Sequence, residues 1–194
     1  MIFTTQQLIE KYDNLADPKG RISRDVDKGL LFPVSRGFYE NNQDTDGIKL
    51  AQFIYGPSYL SFDYVLAYYS IIPEAVYKTY TCATFGKKKK KKYKNIFGNY
   101  IYRDIPKEVY SYGVKLIEDG SYSYQIALPE KALCDKLYTI SPVSSLKQFK
   151  ALLFEDLRID ETELNKMDRK LIFKIAPMYH KKNLDWLIAY FKEN

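Results

Sequence analysis

The chain has one histidine, two cysteines and one tryptophan in 194 residues. A structural zinc site draws about four N or S ligands, and Cys82 and Cys134 lie far apart with no CxxC spacing, so a conventional zinc centre is excluded. Both cysteines sit among apolar residues and read as reduced and buried. The lone His180 precedes the last helical segment without an evident serine or cysteine partner, so it reads as a surface or capping residue and no hydrolase triad is visible. There is no GxxxxGK[ST] and no GxGxxG after a strand, hence no phosphate cradle of those kinds. No apolar run approaches the ~20 residues that span a bilayer. The N-terminus MIFTTQQLIEKYDN lacks the basic and apolar regions of a secretory signal, which points to an intracellular, cytoplasmic protein. No cofactor or metal is expected.

Lysine and tyrosine are abundant. Net charge is +6, with 19 tyrosines. The charge is uneven: residues 1–42 balance, and most of the surplus lies between Lys87 and Lys115, where Lys87, Lys88, Lys89, Lys90, Lys91 and Lys92 run consecutively and Lys94 follows. Such a local field suits a polyanionic partner. Six like charges in a row also repel one another and stay solvated. The run lies between two expected strands, so it reads either as a mobile loop or as a source of auxiliary, sequence-blind phosphate contacts.

The N-terminal pattern is helix, helix, hairpin. Thr4 or Thr5 can cap TQQLIEKY, with Leu8, Ile9 and Tyr12 on one face. Asp17-Pro18 is a cap followed by proline at the first helical position. Ile22 and Val26 then make an i, i+4 apolar stripe, and Gly29 ends the helix. LLFPVSRGFYE forms a small hairpin with Ser35-Arg36-Gly37 at the turn. This is the order of a winged helix-turn-helix, in which the second helix offers its Arg and Lys side chains to base edges and phosphates while the hairpin touches the backbone.

The polar stretch Asn41–Gly47 is the expected boundary between a unit at 1–42 and a second at 48–194. IKLAQFIYG and SFDYVLAYYS read as helices, the latter with Ser61 as N-cap. AVYKTYTCATF, NIFGNYIYRDI (with a turn or bulge at Phe97-Gly98-Asn99) and the hairpin VYSYGVKLIEDGSYSYQIAL read as strands, the hairpin turning at residues 118–121. PEKALCDKLY, SSLKQFKALLFEDL, DETELNKMDRKLIFKIA and KKNLDWLIAYFKEN return to helix. The expected class is therefore α+β: a small winged helix-turn-helix, whole or truncated, then a mixed domain with an antiparallel sheet and C-terminal helices. A metal-dependent nuclease site built on Asp119 with Glu130-Lys131 is rejected, because Glu130 and Lys131 are adjacent and Pro129 starts a helix there. Asp135 and Lys136 read as structural or surface residues.

DPKGRISRDVDKGLLFPVSRGFYE, then YGPSYLSFDYVLAYYSIIPE, then ALPEKALCDKLY, occur in the order seen in the AbiEi family of antitoxins, which this chain resembles over nearly its whole length. The resemblance implies an N-terminal winged-helix domain, a C-terminal antitoxin domain, and a non-enzymatic role in a bacterial type IV toxin–antitoxin (abortive phage infection) system. It also implies autorepression through promoter DNA and a nucleotidyltransferase-like toxin opposed without a stable complex. By position, Lys19, Arg21, Ser23, Arg24 and Lys28 would belong to the recognition helix and Ser35 and Arg36 to the wing. A full winged helix usually has one more helix before Thr4. The alternative reading is an interaction protein acting through its second domain, with the winged unit as a scaffold only.

Overall fold

The computed structural model describes residues 1–74 and 76–193. The class is α+β. Strand β1 (Ile2–Thr4) leads into helix α1 (Thr5–Lys11), where Thr4 and Gln7 form a reciprocal capping box. Helix α2 (Pro18–Asp27) starts on Asp17, whose carboxylate accepts the Gly20 N–H at 2.9 Å, and ends before Gly29 at φ 66°. Strands β2 (Phe32–Ser35) and β3 (Phe38–Glu40) complete an antiparallel sheet of order β1-β3-β2. Alternation gives this sheet two apolar faces. Phe3 and Tyr39 meet Leu8, Ile22 and Leu31 under the helices. Ile2, Phe32, Val34 and Phe38 turn the other way and join the main core.

A short 3-10 turn (Gly47–Leu50) leads into helix α3 (Ala51–Ile54), which packs on that second face through Phe53 against Phe38. Gly47 is required there: a Cβ would fall 2.5 Å from the Tyr80 ring and 2.7 Å from the Phe97 carbonyl oxygen. The remaining strands are β4 (Tyr59–Leu60), β5 (Thr79–Thr84), β6 (Lys91–Asn95), β7 (Gly98–Asp104), β8 (Val114–Asp119) and β9 (Tyr122–Ala127). They form one six-stranded sheet, β6-β7-β5-β4-β9-β8, in which β5–β7 and β4–β9 are parallel and the other pairs antiparallel. The sheet is thus mixed, with three antiparallel and two parallel pairings.

Helix α4 (Phe62–Tyr68) follows β4. Helices α5 (Pro129–Tyr138), α6 (Leu146–Ala151), α7 (Glu161–Asn165), α8 (Arg169–Ile175) and α9 (Lys182–Glu193) form the C-terminal layer. α5 is the hub. Glu130, Lys131, Ala132, Leu133, Cys134, Asp135 and Leu137 are all buried, with α4, α8, α9 and β9 around them. Cys82 and Cys134 are free and buried, and burial pushes both thiols up. His180 is exposed, in a left-handed conformation (φ 50°) at the turn before α9. No helix is long and apolar enough to cross a membrane, and no group of three or more His, Cys, Asp or Glu is placed to hold a metal, among the described residues.

Candidate nucleic-acid interface

Helix α2 carries the basic residues at two azimuths, as 3.6-residue periodicity demands. Lys19 and Ser23, four residues apart and exposed, face the hairpin. Together with Ser35, Arg36 and Gly37 they line a groove of about 490 Å³ whose floor includes Ile22, Val26 and Tyr39. Arg24 and Lys28 lie outside this groove on the open side of α2, both exposed. Arg24 is loosely opposed by Asp17 at 3.9 Å.

Two of the expected contact residues are occupied internally. The Arg21 Nε donates to both Asp25 oxygens, at 2.9 and 3.1 Å, and its guanidinium sits 5.6 Å from the centre of the Tyr12 ring. Tyr12 donates its hydroxyl to Asp25 at 2.8 Å. Burial works to raise the Asp25 carboxyl, but the hydrogen bonds from Tyr12 and Arg21 outweigh it and hold the group below the usual carboxylate range. Arg21 therefore locks α1 against α2. The Ser35 hydroxyl donates to the Phe53 carbonyl oxygen at 2.8 Å and ties the wing to α3. Of the wing pair, Arg36 alone is exposed.

The winged unit is fixed to the rest of the chain by polar clamps. Glu40 is fully buried; one carboxylate oxygen accepts the Asn41 and Asn42 N–H groups at 3.0 and 3.1 Å and the N-terminal ammonium, and the other accepts the Tyr122 hydroxyl at 2.6 Å. The Asn95 side chain donates to the Val34 carbonyl oxygen at 2.9 Å, and Phe32 meets Phe97 edge-on.

The lysine run divides at the start of β6. Lys87–Lys90 are loop, while Lys91, Lys92 and Lys94 belong to the edge strand. An unpaired strand edge is a template for association with other chains, and lysines are a common guard against it. The segment 95–105, expected as a strand with a turn or bulge at Phe97-Gly98-Asn99, holds the end of β6, a tight turn at Ile96-Phe97 and all of β7. Gly98 (φ 149°) has the Lys78 carbonyl oxygen where a Cβ would stand, 2.7 Å away. Arg103, on β7, was not singled out by the sequence pattern and lies on the same sheet face as Lys92 and Lys94.

The rejected nuclease trio is dispersed. Asp119 pairs with Lys49 at 2.9 Å, Glu130 accepts the Asp168 N–H at 2.7 Å, and Lys131 is sealed in the core. There its ammonium contacts Asp135 at 3.0 Å and donates to Tyr179 at 2.6 Å. Tyr59 and Ser61 donate to the other Asp135 oxygen at 2.8 and 2.7 Å. Ser61 precedes α4 but makes no side-chain cap, because its hydroxyl is committed to Asp135. Burial lowers the Lys131 ammonium from its ordinary value, against the opposing pull of Asp135. Asp135 thus has the structural role expected of it, and Lys136, partly buried, pairs with Asp63. The signal available in the sequence was an i, i+4 Lys–Asp pair enclosing Ala132, Leu133 and Cys134; its partners Tyr59 and Tyr179 come from distant segments.

No protein-family model matches the chain, and no curated protein matches it.

Proposed function

We propose that the chain is a DNA-binding antitoxin and autorepressor of the AbiEi type, which reads its own promoter through α2 and the β2–β3 wing. The observation that carries this reading is the groove that sets exposed Lys19 and Ser23 of α2 opposite Arg36 of the wing, with Arg24 and Lys28 exposed on the adjacent helix face. Side chains on a helix beside a hairpin are placed to touch base edges and flanking phosphates together. The contact set is therefore Lys19, Ser23, Arg24, Lys28 and Arg36. Arg21 and Ser35 act behind it by holding α2 and the wing in place. Opposition to a nucleotidyltransferase-like toxin, without a stable complex, rests on the resemblance of the three motif segments.

The test is fluorescence anisotropy with the duplex upstream of the reading frame, across a salt series. Lys19→Ala/Arg24→Ala/Arg36→Ala is expected to abolish preference for that duplex over a scrambled one. If the wild type prefers neither, even at low salt, repression by this chain is refuted. A second reading, a scaffold whose second domain does the antagonism, is favoured by the internal use of Arg21 and by the balanced charge of residues 1–42. It predicts rescue of toxin-inhibited growth by the triple variant as full as that by the wild type.

A further inference from the structure

The two edges of the six-stranded sheet are built differently. β6 carries Lys91, Lys92 and Lys94, a common guard against edge-to-edge pairing. β8 closes the opposite side of the sheet with VKLIED. It has one lysine and no proline, and its register with β9 runs from Val114 to Asp119 without a bulge. Leu116, near its middle, is 58% exposed. β9 is the one element that β8 contacts extensively among the described residues. The Leu128 N–H donates to the Gly113 carbonyl oxygen at 2.7 Å, so positions 113, 115, 117 and 119 turn their backbone groups toward β9. Val114, Leu116 and Glu118 turn theirs outward, where no strand pairs with them among the described residues. Such an edge is a template for another strand.

The residues of β8 select which strand fits. Two copies joined antiparallel about a twofold axis normal to the sheet keep each face continuous, so odd positions oppose odd and even oppose even. Centred on Ile117, this pairing sets Lys115 opposite Asp119 of the partner copy, and Asp119 opposite Lys115 of the partner copy. These are non-hydrogen-bonded positions, where side chains approach most closely. Leu116 and Glu118 supply the backbone bonds, and the two copies of Leu116 lie diagonally across the axis, within reach of each other. Centred on Leu116, the same strands would set Lys115 against Ile117 and Glu118 against Val114, with no charge pair. Both charged groups are accessible. No ion pair engages Lys115 among the described residues, and its ammonium lies 5.4 Å from the centre of the Tyr69 ring. Asp119 meets Lys49 through one carboxylate oxygen and is still half-exposed. We infer, independently of the DNA-binding reading, that β8 is a self-association edge, which joins two copies of this chain into one continuous sheet by antiparallel pairing centred on Ile117.

The experiment is sedimentation equilibrium on the full chain over a concentration series, with amide hydrogen exchange alongside. The wild type should shift with concentration from the 22.8 kDa chain to twice that mass. The amides of Leu116 and Glu118 should gain protection as it does so. Lys115→Asp and Asp119→Lys each turn both cross-axis pairs into like charges, and each should weaken self-association by about tenfold or more. Mixed together, the two variants restore both opposite-charge pairs in a heterodimer, and association should return to within about threefold of wild type. Leu116→Lys, made at an exposed side chain, should leave a folded monomer by circular dichroism. A wild type that stays monomeric throughout the series refutes the edge. A dimer untouched by all three variants places association elsewhere and refutes it too, as does a mixture that recovers nothing.

Discussion

Replacing Lys131 by methionine tests the logic of the core most directly. The substitution keeps the volume and the apolar stem but removes the ammonium. Asp135 is then left fully buried with only neutral donors, the hydroxyls of Tyr59, Ser61 and Tyr179. Removing one partner of a buried ion pair costs about 3–5 kcal/mol, because the remaining charge is uncompensated. Unfolding entropy scales at about 2.1 cal/mol/K per residue, or about 0.4 kcal/mol/K for this chain. The expected fall in Tm is therefore about 7–12 °C, with a matching shift in the urea midpoint and an unchanged m-value. The second variant separates charge from contact. Lys131→Met/Asp135→Asn removes the stranded charge and keeps an acceptor for the tyrosine hydroxyls, so it should recover at least about 2 kcal/mol of the loss. Circular dichroism melts and urea titrations measure both. A single variant within about 1 kcal/mol of wild type, or a double variant no more stable than the single, refutes the reasoning.

Two further outcomes follow from buried tyrosines and the hydroxyl that clamps Glu40. Tyr122→Phe removes the hydroxyl that Glu40 accepts at 2.6 Å and should cost about 1.5–3 kcal/mol, as for a hydrogen bond to a charged group; hydrogen exchange should rise first in β1 and β3, and uniform protection across the chain would contradict the clamp. Alkaline titration should unfold the protein cooperatively. Burial raises the phenols of Tyr59, Tyr80, Tyr100, Tyr102 and Tyr179, so their stabilisation is complete below the unfolded value near 10 and is lost as pH rises beyond it. Each phenol withheld from ionisation contributes a slope of about 1.4 kcal/mol per pH unit. Tyrosinate absorbance rising gradually from pH 10 with no unfolding step would count against it.

Local signals translated into structure where the chemistry is itself local. The Thr4–Gln7 capping box, the Asp17-Pro18 start of α2, the positive-φ Gly29 and the 118–121 turn each depend on residues within four positions of one another. The parallel pairings β5–β7 and β4–β9 join segments brought together by the whole fold, and the two-residue β4 leaves no periodicity to read. Strand β6 was hidden for another reason. An edge strand with solvent on most sides needs no apolar alternation, so KKYKN looks like loop sequence. The sequence placed the candidate residues on α2 and the wing but did not show which of them have internal partners. Nothing next to Arg21 in sequence announces that Tyr12 and Asp25 will claim it, and nothing near Ser35 points to the Phe53 carbonyl.

Those internal bonds bear on how the proposed interface works. The winged unit has only Leu8, Ile22 and Leu31 fully enclosed beneath its helices, too small a core to hold a fold of about 40 residues by itself. Its other sheet face completes the main core, and Ser35, Val34 and Glu40 each make a hydrogen bond to the second unit. Reading helix, wing and lysine strand are therefore parts of one folded body, unlike modules joined by a flexible linker, for which the second contact depends on linker length. Removing one clamp should therefore weaken promoter binding without touching a contact residue: Asn95→Ala, which deletes the bond to the Val34 carbonyl oxygen, is expected to raise the Kd for the promoter duplex, and an unchanged Kd would count against a rigidly held wing.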